Sequence, residues 1–186
     1  MCGRYYFSVT SLPMDSPLGT HGLDPSLFSF AHGEIFPSEK VIVLVGDADS
    51  YKVEVKTWGL TTLKKRIINA RLESLGTKPF YDAMLTKRAL IPCNGYYEWK
   101  KDKQGIHKCF ISKKTQPIFY LAALYNEQDE FVILTRTANH GLAKIHHRMP
   151  IVLDEAQILS YLHNDEKIIT NPTGFYIQGD LDEKAA

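Results

Sequence analysis

Cys2 has the most unusual chemistry available to it of any residue in the sequence. Methionine is ordinarily trimmed when the second residue is small. The chain would then begin with an α-amine and a thiol on adjacent carbons. An α-amine has a pKa near ~8, against ~10.4 for lysine, so a useful fraction is a free nucleophile at neutral pH. Such a pair suits aldehydes, because the amine forms an imine and the thiol then closes a five-membered thiazolidine. Read by position alone, Cys2 is equally a small, unreactive residue near a terminus.

A second constellation is Ile91-Pro92-Cys93-Asn94-Gly95-Tyr96-Tyr97-Glu98-Trp99-Lys100, in which a turn-prone Cys-Asn-Gly leads into aromatics around one carboxylate. Apolar neighbours would raise the pKa of Glu98 by desolvation, toward the range where a carboxyl group both gives and takes a proton near pH 7. A strand glutamate facing solvent is the plainer reading of the same pattern. Cys93 is expected to pack rather than react. A third is Ala143-Lys144-Ile145-His146-His147-Arg148-Met149-Pro150-Ile151-Val152-Leu153, where two histidines and an arginine precede an apolar strand. Such a junction suits a general acid and a phosphate clamp, or simply surface histidines in a loop. Zinc on His140, His146, His147 and a cysteine matches no familiar ligand spacing, so no metal is expected. Finally, Asn69, Arg71 and Glu73 alternate, so one extended strand would present all three on one face, either to hold an amine and a phosphate or as a solvated internal ion pair.

These residues need a sheet to position them. Strand signals dominate at residues 40–45, 52–58, 108–112, 118–124 and 130–137, which are rich in β-branched and aromatic side chains and bounded by turn formers. An antiparallel or mixed, curled sheet is predicted. Helices are fewer. One is expected to start at Asp154, with Gln157 at the reciprocal capping position and an apolar face of Ile158, Leu159, Tyr161 and Leu162. A second is expected over residues 79–87, with Phe80, Met84 and Leu85 on one face. Residues 11–25 read as a long loop, and the polar segment 168–186 as loose.

The chain has 186 residues, 44% hydrophobic and 23% charged, enough for one domain with a substantial core. A formal net charge of +1 argues against a polybasic module that grips nucleic acid or membrane by bulk charge, though not against a local basic track. Three cysteines without a Cys-x-x-Cys pair make neither a disulfide framework nor a zinc ribbon. A reducing cytoplasm is the expected setting. No secretory profile precedes the first strand and no apolar run nears the ~20 residues of a membrane span.

Taken in order, five pieces resemble the SOS response-associated peptidase (SRAP) family, whose members act on abasic sites in single-stranded DNA. They are Met1-Cys2-Gly3-Arg4, Trp58-Gly59-Leu60, Asn69-Ala70-Arg71-x-Glu73, Ile91-Pro92-x-x-Gly95-x-Tyr97-Glu98-Trp99 and His146-x-Arg148-Met149-Pro150, spanning residues 1–153. The resemblance implies a single α+β domain, residues 1–186, on a curled, mostly antiparallel and barrel-like sheet with a few peripheral helices. It implies that Cys2, freed of Met1, attacks the ring-opened deoxyribose and forms a thiazolidine crosslink. Asn69 would position the amine, Glu98 would serve as general acid/base and in reversal, and His146 would assist proton transfer at the sugar. Arg4, Arg71 and Arg148 would contact phosphates, and Trp58 or Trp99 would shape the DNA channel. Met1 removal would be autocatalytic, and strand cleavage through the imine a side activity. The implied partner is single-stranded DNA containing abasic sites, met by a monomer near the nucleoid in a bacterial host, with no cofactor. Two other readings stand beside this one: a thiol peptidase using Cys2 with His146 as base, and a noncatalytic single-strand-binding module.

The chain departs from the family pattern after Trp58-Gly59-Leu60, where a longer Ile/Val-Pro-x-Trp loop is replaced by the short, basic Thr61-Thr62-Leu63-Lys64-Lys65-Arg66. His32-Gly33-Glu34-Ile35-Phe36-Pro37-Ser38 replaces a Tyr-Asn-x-x-Pro-Thr stretch, and Leu72 stands where serine is typical.

Overall fold

The computed structural model describes residues 2–8, 18, 25–30, 32–113, 118–163 and 176–178. The expected loop over 11–25 and the expected loose segment over 168–186 lie almost wholly outside the described residues. In chain order the strands begin with β1 (Tyr5–Ser8), β2 (His32–Ile35), β3 (Lys40–Asp47) and β4 (Ser50–Trp58). Three short ones follow, β5 (Leu60–Thr61), β6 (Arg66–Ile67) and β7 (Asn69–Arg71). Then come β8 (Arg88–Cys93), β9 (Gly95–Asp102), β10 (Gly105–Ser112), β11 (Phe119–Tyr125) and β12 (Glu130–Thr137). The last are β13 (Arg148–Pro150), β14 (Val152–Leu153) and β15 (Tyr176–Gln178).

Strands β12, β4, β3, β8 and β11 are hydrogen-bonded in that order, and β11 pairs back onto β12, so the main sheet closes into a small barrel. Pairings are antiparallel except where β12 runs parallel to β4 and to β7. Residues 41–45, 89–93, 119–124 and 131–135 are buried at every position. Because alternate side chains of a strand point to opposite faces, these strands have protein on both sides. A second sheet, ordered β15-β10-β9-β1-β2, carries the N-terminal strand between β9 and β2. Closure of the barrel and the predominance of antiparallel pairs match the curled sheet predicted from the strand pattern.

The helices are shorter than their sequences promise. Asp154 does open a capped turn, with its backbone N–H donating to Gln157 Oε1 at 2.9 Å, but the turn is a 3-10 segment (Glu155–Gln157) that passes into a single short α-helix, α1 (Ile158–Leu162). Ile158, Tyr161 and Leu162 are buried, whereas Leu159 is turned outward. The helix expected over 79–87 is a 3-10 helix, Pro79–Met84. Its period of three puts Tyr81 and Met84 on the buried side and leaves Phe80 half exposed, correcting the pairing of Phe80 with Met84. The strand expected to carry Asn69, Arg71 and Glu73 ends at Arg71, and Glu73 lies in a following 3-10 helix (Leu72–Thr77), so the three do not share one strand face.

Candidate active site

The corner between β8 and β9 fixes the N-terminal strand. Asn94 accepts from the Ser8 N–H through Oδ1 at 2.8 Å and donates its own N–H to the Tyr6 carbonyl at 2.9 Å. The Tyr97 N–H continues the ladder to the Arg4 carbonyl at 2.9 Å. Gly95 has to be glycine, because a Cβ there would lie 2.2 Å from the Phe110 ring of β10. The result is a short, tightly held strand whose beginning, Cys2, is buried in the core beside β9.

Trp58 organises the other side. It is fully buried, with its ring 5.4 Å from that of Tyr5 and parallel to that of Phe131, and its indole N–H donates to the Ile68 carbonyl at 3.0 Å. This corrects the expectation that Trp58 lines a DNA channel: no face of the ring is left for a base. Its work is to hold the peptide beside Asn69, which donates through Nδ2 to the Cys2 carbonyl at 2.8 Å. Gly59, at φ +104°, makes the sharp exit from β4, and a Cβ there would meet the Arg66 stem at 2.6 Å. The short hairpin that follows is pinned by Thr61 Oγ1 donating to Glu130 at 2.5 Å and by Arg66 donating to the Gly59 carbonyl at 2.5 Å.

Around Cys2 the electrostatics are those of a dry site. Burial, and then the charge of Glu98, push the Cys2 thiol up to about 12. Burial likewise raises the Glu98 carboxyl above the ordinary 4.5, opposed in part by the charge of the chain's α-amino group and then by the Trp99 backbone N–H and His147. Glu98 is 3% exposed. Cys93 is buried, and burial holds its thiol well above the usual range with the Cys2 charge adding to the effect. Asn69 Oδ1 and the Tyr96 hydroxyl are buried with no hydrogen-bond partner among the described residues.

His146 lies with Nδ1 3.0 Å from the Arg148 backbone N–H, and burial lowers its pKa, so it is neutral at pH 7. Its ring stacks at 4.4 Å on that of His147, which is exposed and acts electrostatically on Glu98. Arg148 is already engaged within the protein. Its Nη1 and Nη2 form a fork on Glu73, both at 2.9 Å, and Nη2 also donates to the Thr135 carbonyl at 2.7 Å, leaving the side chain 8% exposed. Arg4 is more open, but it already pairs with Glu34 at 2.9 Å and lies over Phe36 and the half-buried Trp99. Arg71, at the end of β7, is exposed.

Thus Cys2, Asn69 and Glu98 are brought together, His146 and His147 stand beside them, and Trp58 and Arg148 support from within. Sequence reasoning passed over Tyr96 and gave His147 no role of its own. The first was hidden among aromatics that read as core, and the second sat behind an adjacent histidine. Among the described residues no group of three or more His, Cys, Asp or Glu side chains could hold a metal ion, so His140, His146, His147 and the cysteines do not converge. A shallow depression of about 360 Å³ lined by Asp47, Arg88, Tyr125 and His163 sits at the opposite end of β8 from Cys93.

Residues 1–175 match the SOS response associated peptidase (SRAP) family. The chain belongs to that family. Among its relatives, abasic site processing protein YedK of Escherichia coli (strain K12) is 31% identical over 180 aligned residues, covering 82% of this chain and 75% of that protein. Abasic site processing protein YoqW of Bacillus subtilis (strain 168) is 27% identical over 186 aligned residues, covering 88% and 80%. Among solved structures, a phage-related protein from Bordetella bronchiseptica superposes with a TM-score of 0.71 at 22% identity, covering 95% of this chain and 93% of that one. A Bacteroides thetaiotaomicron protein gives 0.69 at 19% identity over 95% and 90%. The SRAP fold is therefore the closed barrel with its N-terminal strand threaded into a second sheet.

Proposed function

We propose that this SRAP protein processes abasic sites in single-stranded DNA, capturing the ring-opened sugar aldehyde as a thiazolidine on Cys2 once Met1 has been removed. The observation that carries this reading is the burial of Cys2 between a desolvated carboxyl, Glu98, and an amide, Asn69, that already holds its backbone. The relatives' shared name, abasic site processing protein, supports the same substrate.

The order of events follows from the protonation states. A thiol near 12 is a poor first nucleophile. The freed α-amine therefore adds first. Asn69 Oδ1, an acceptor with no partner among the described residues, is available to orient that amine. Addition gives a carbinolamine; the Glu98 carboxyl, whose neutral form burial favours, donates to the departing hydroxyl and water leaves an iminium. The Cys2 thiol then passes its proton to the Glu98 carboxylate as the sulfur adds to the iminium carbon, which closes the ring and restores the carboxyl. Net, one water is lost. Run backward, the same shuttle releases the sugar. The neutral His146 is suited to accept or donate at the sugar hydroxyl. Arg71 and Trp99 are the accessible members of the DNA-contacting set, the first for phosphate and the second for stacking.

A thiol peptidase acting in trans would need an ionised sulfur, and burial of Cys2 works against that. Removal of Met1 fits the same groups: the thiol proton passes by way of Glu98 to the Cys2 nitrogen as the sulfur adds to the Met1 carbonyl and the Met1–Cys2 C–N bond breaks, and water then hydrolyses the thioester, freeing methionine and restoring the thiol. The test is incubation with an abasic single-stranded oligonucleotide. The wild-type chain is expected to give a heat-stable adduct whose intact mass is protein without Met1 plus oligonucleotide less one water. Cys2→Ala is expected to give none, and the same adduct from that variant would overturn the mechanism.

A further inference from the structure

Tyr96 is fully buried on β9, opposite Tyr5 of β1 and Ile111 of β10, and two residues before Glu98, so the two side chains share one face of the strand. Its hydroxyl makes no hydrogen bond among the described residues. The fold treats a purely structural tyrosine differently: Tyr161, also fully buried, donates to the Ala123 carbonyl at 2.9 Å. A buried hydroxyl without a partner is destabilising, and phenylalanine would fill the same space without that cost. The oxygen is therefore kept for something that arrives. What surrounds it is the reacting centre, since the Cys2 thiol, the Glu98 carboxyl and the Cys93 thiol are the charges that act on it. Asn69 Oδ1, another buried polar atom near Cys2 without a partner among the described residues, is an acceptor, and Tyr96 is a donor.

We propose that Tyr96 is a further catalytic residue of this site, its hydroxyl donating a hydrogen bond to the aldehyde oxygen of the opened sugar while the Cys2 amine adds to the aldehyde carbon. The inference rests on the reading of Cys2 given above. In the step, the nitrogen lone pair forms the N–C bond and the C=O π pair moves onto oxygen. The amine proton reaches that oxygen by way of Glu98. Tyr96 keeps its own proton throughout and stabilises the negative charge that develops. The acceptor Asn69 and the donor Tyr96 then divide the carbinolamine between them, one facing nitrogen and the other oxygen. This accounts for both buried polar atoms with one ligand.

The experiment is capture of an abasic oligonucleotide by Tyr96→Phe beside the wild type, with melting midpoints measured on both. Tyr96→Phe is expected to melt at or above the wild-type midpoint and to crosslink about a hundredfold more slowly, the usual effect of losing one preorganised donor to a developing oxyanion. Crosslinking at the wild-type rate would overturn the proposal. Should Tyr96→Phe melt lower, 3-fluorotyrosine at position 96, a stronger donor of nearly the same shape, is expected to speed capture, and an unchanged rate there overturns the proposal equally. Absence of any adduct from the wild type would fail the thiazolidine reading itself, which keeps the two failures apart.

Discussion

Glu98 and Arg148 are both charged residues less than a tenth exposed, one at 3% and the other at 7%, yet their surroundings act in opposite ways. Arg148 reaches a carboxylate that fits its fork, a backbone carbonyl and two threonine hydroxyls. Glu73 in turn is held down to about 2 by that fork. Glu98 is placed among aromatics and thiols, and its burial is opposed by little enough that its carboxyl titrates above the ordinary range. The first arrangement lowers the energy of the folded chain and fixes the Arg148 backbone N–H against His146 Nδ1. The second raises the folded chain's energy when the carboxyl is ionised, because burial favours the neutral form. These surroundings thus leave one carboxylate, Glu73, easier to ionise and another, Glu98, harder.

The contrast can be broken most deeply at Glu98. Glu98→Gln is expected to slow adduct formation by roughly 10²–10⁴-fold, the range for loss of a general acid/base. The same variant is expected to melt higher than wild type at pH 8 and alike at pH 4. Folded Glu98 binds its proton more tightly than unfolded Glu98, so wild-type stability declines as pH rises from about 4.5, the ordinary value, through the raised one. A Glu98→Gln chain that melts lower at pH 8 would mean the carboxylate is stabilising there and would erase the contrast. Next in size is Arg148→Met, expected to cost about 3 kcal/mol, the low end for a buried pair because half-exposed Glu73 can return to water. In a chain of this length that is roughly 6–12 °C in melting midpoint. The smallest effect is expected from Glu73→Gln. Stability contributed by Glu73 is present above its unfolded value and lost as pH falls toward about 2, so an acid titration followed by circular dichroism should show a shallower loss between about pH 4.5 and 2 in the variant.

Runs of β-branched and aromatic residues bounded by turn formers made the barrel strands readable, and the span expected over 130–137, with its apolar run Phe131 to Leu134, matches β12 to the residue. The 3-10 segments read as helices because their sequences carry good caps: Pro79 and Asp154 start a turn, but the first run stays 3-10 throughout and the second becomes α-helical only over Ile158–Leu162. Cys2, Asn69 and Glu98 were legible from residue type and order. What sequence could not show is accessibility. Trp58 and Arg148 look like DNA contacts when written as letters, and only tertiary pairing, with Ile68 and Phe131 for one and Glu73 for the other, turns them inward. Tyr96 was obscured by the same limit, because nothing in a sequence distinguishes a phenol that has found a carbonyl from one that has not.

Burial of Cys2 also has a consequence for the lifetime of the protein. Peroxides and alkylating agents consume thiolates rather than thiols. With its thiol pushed up to about 12, Cys2 is far less ionised at pH 7 than an ordinary cysteine. Its sulfur is therefore slow to be spent on such reagents, and the closed walls around that atom serve as its preservative.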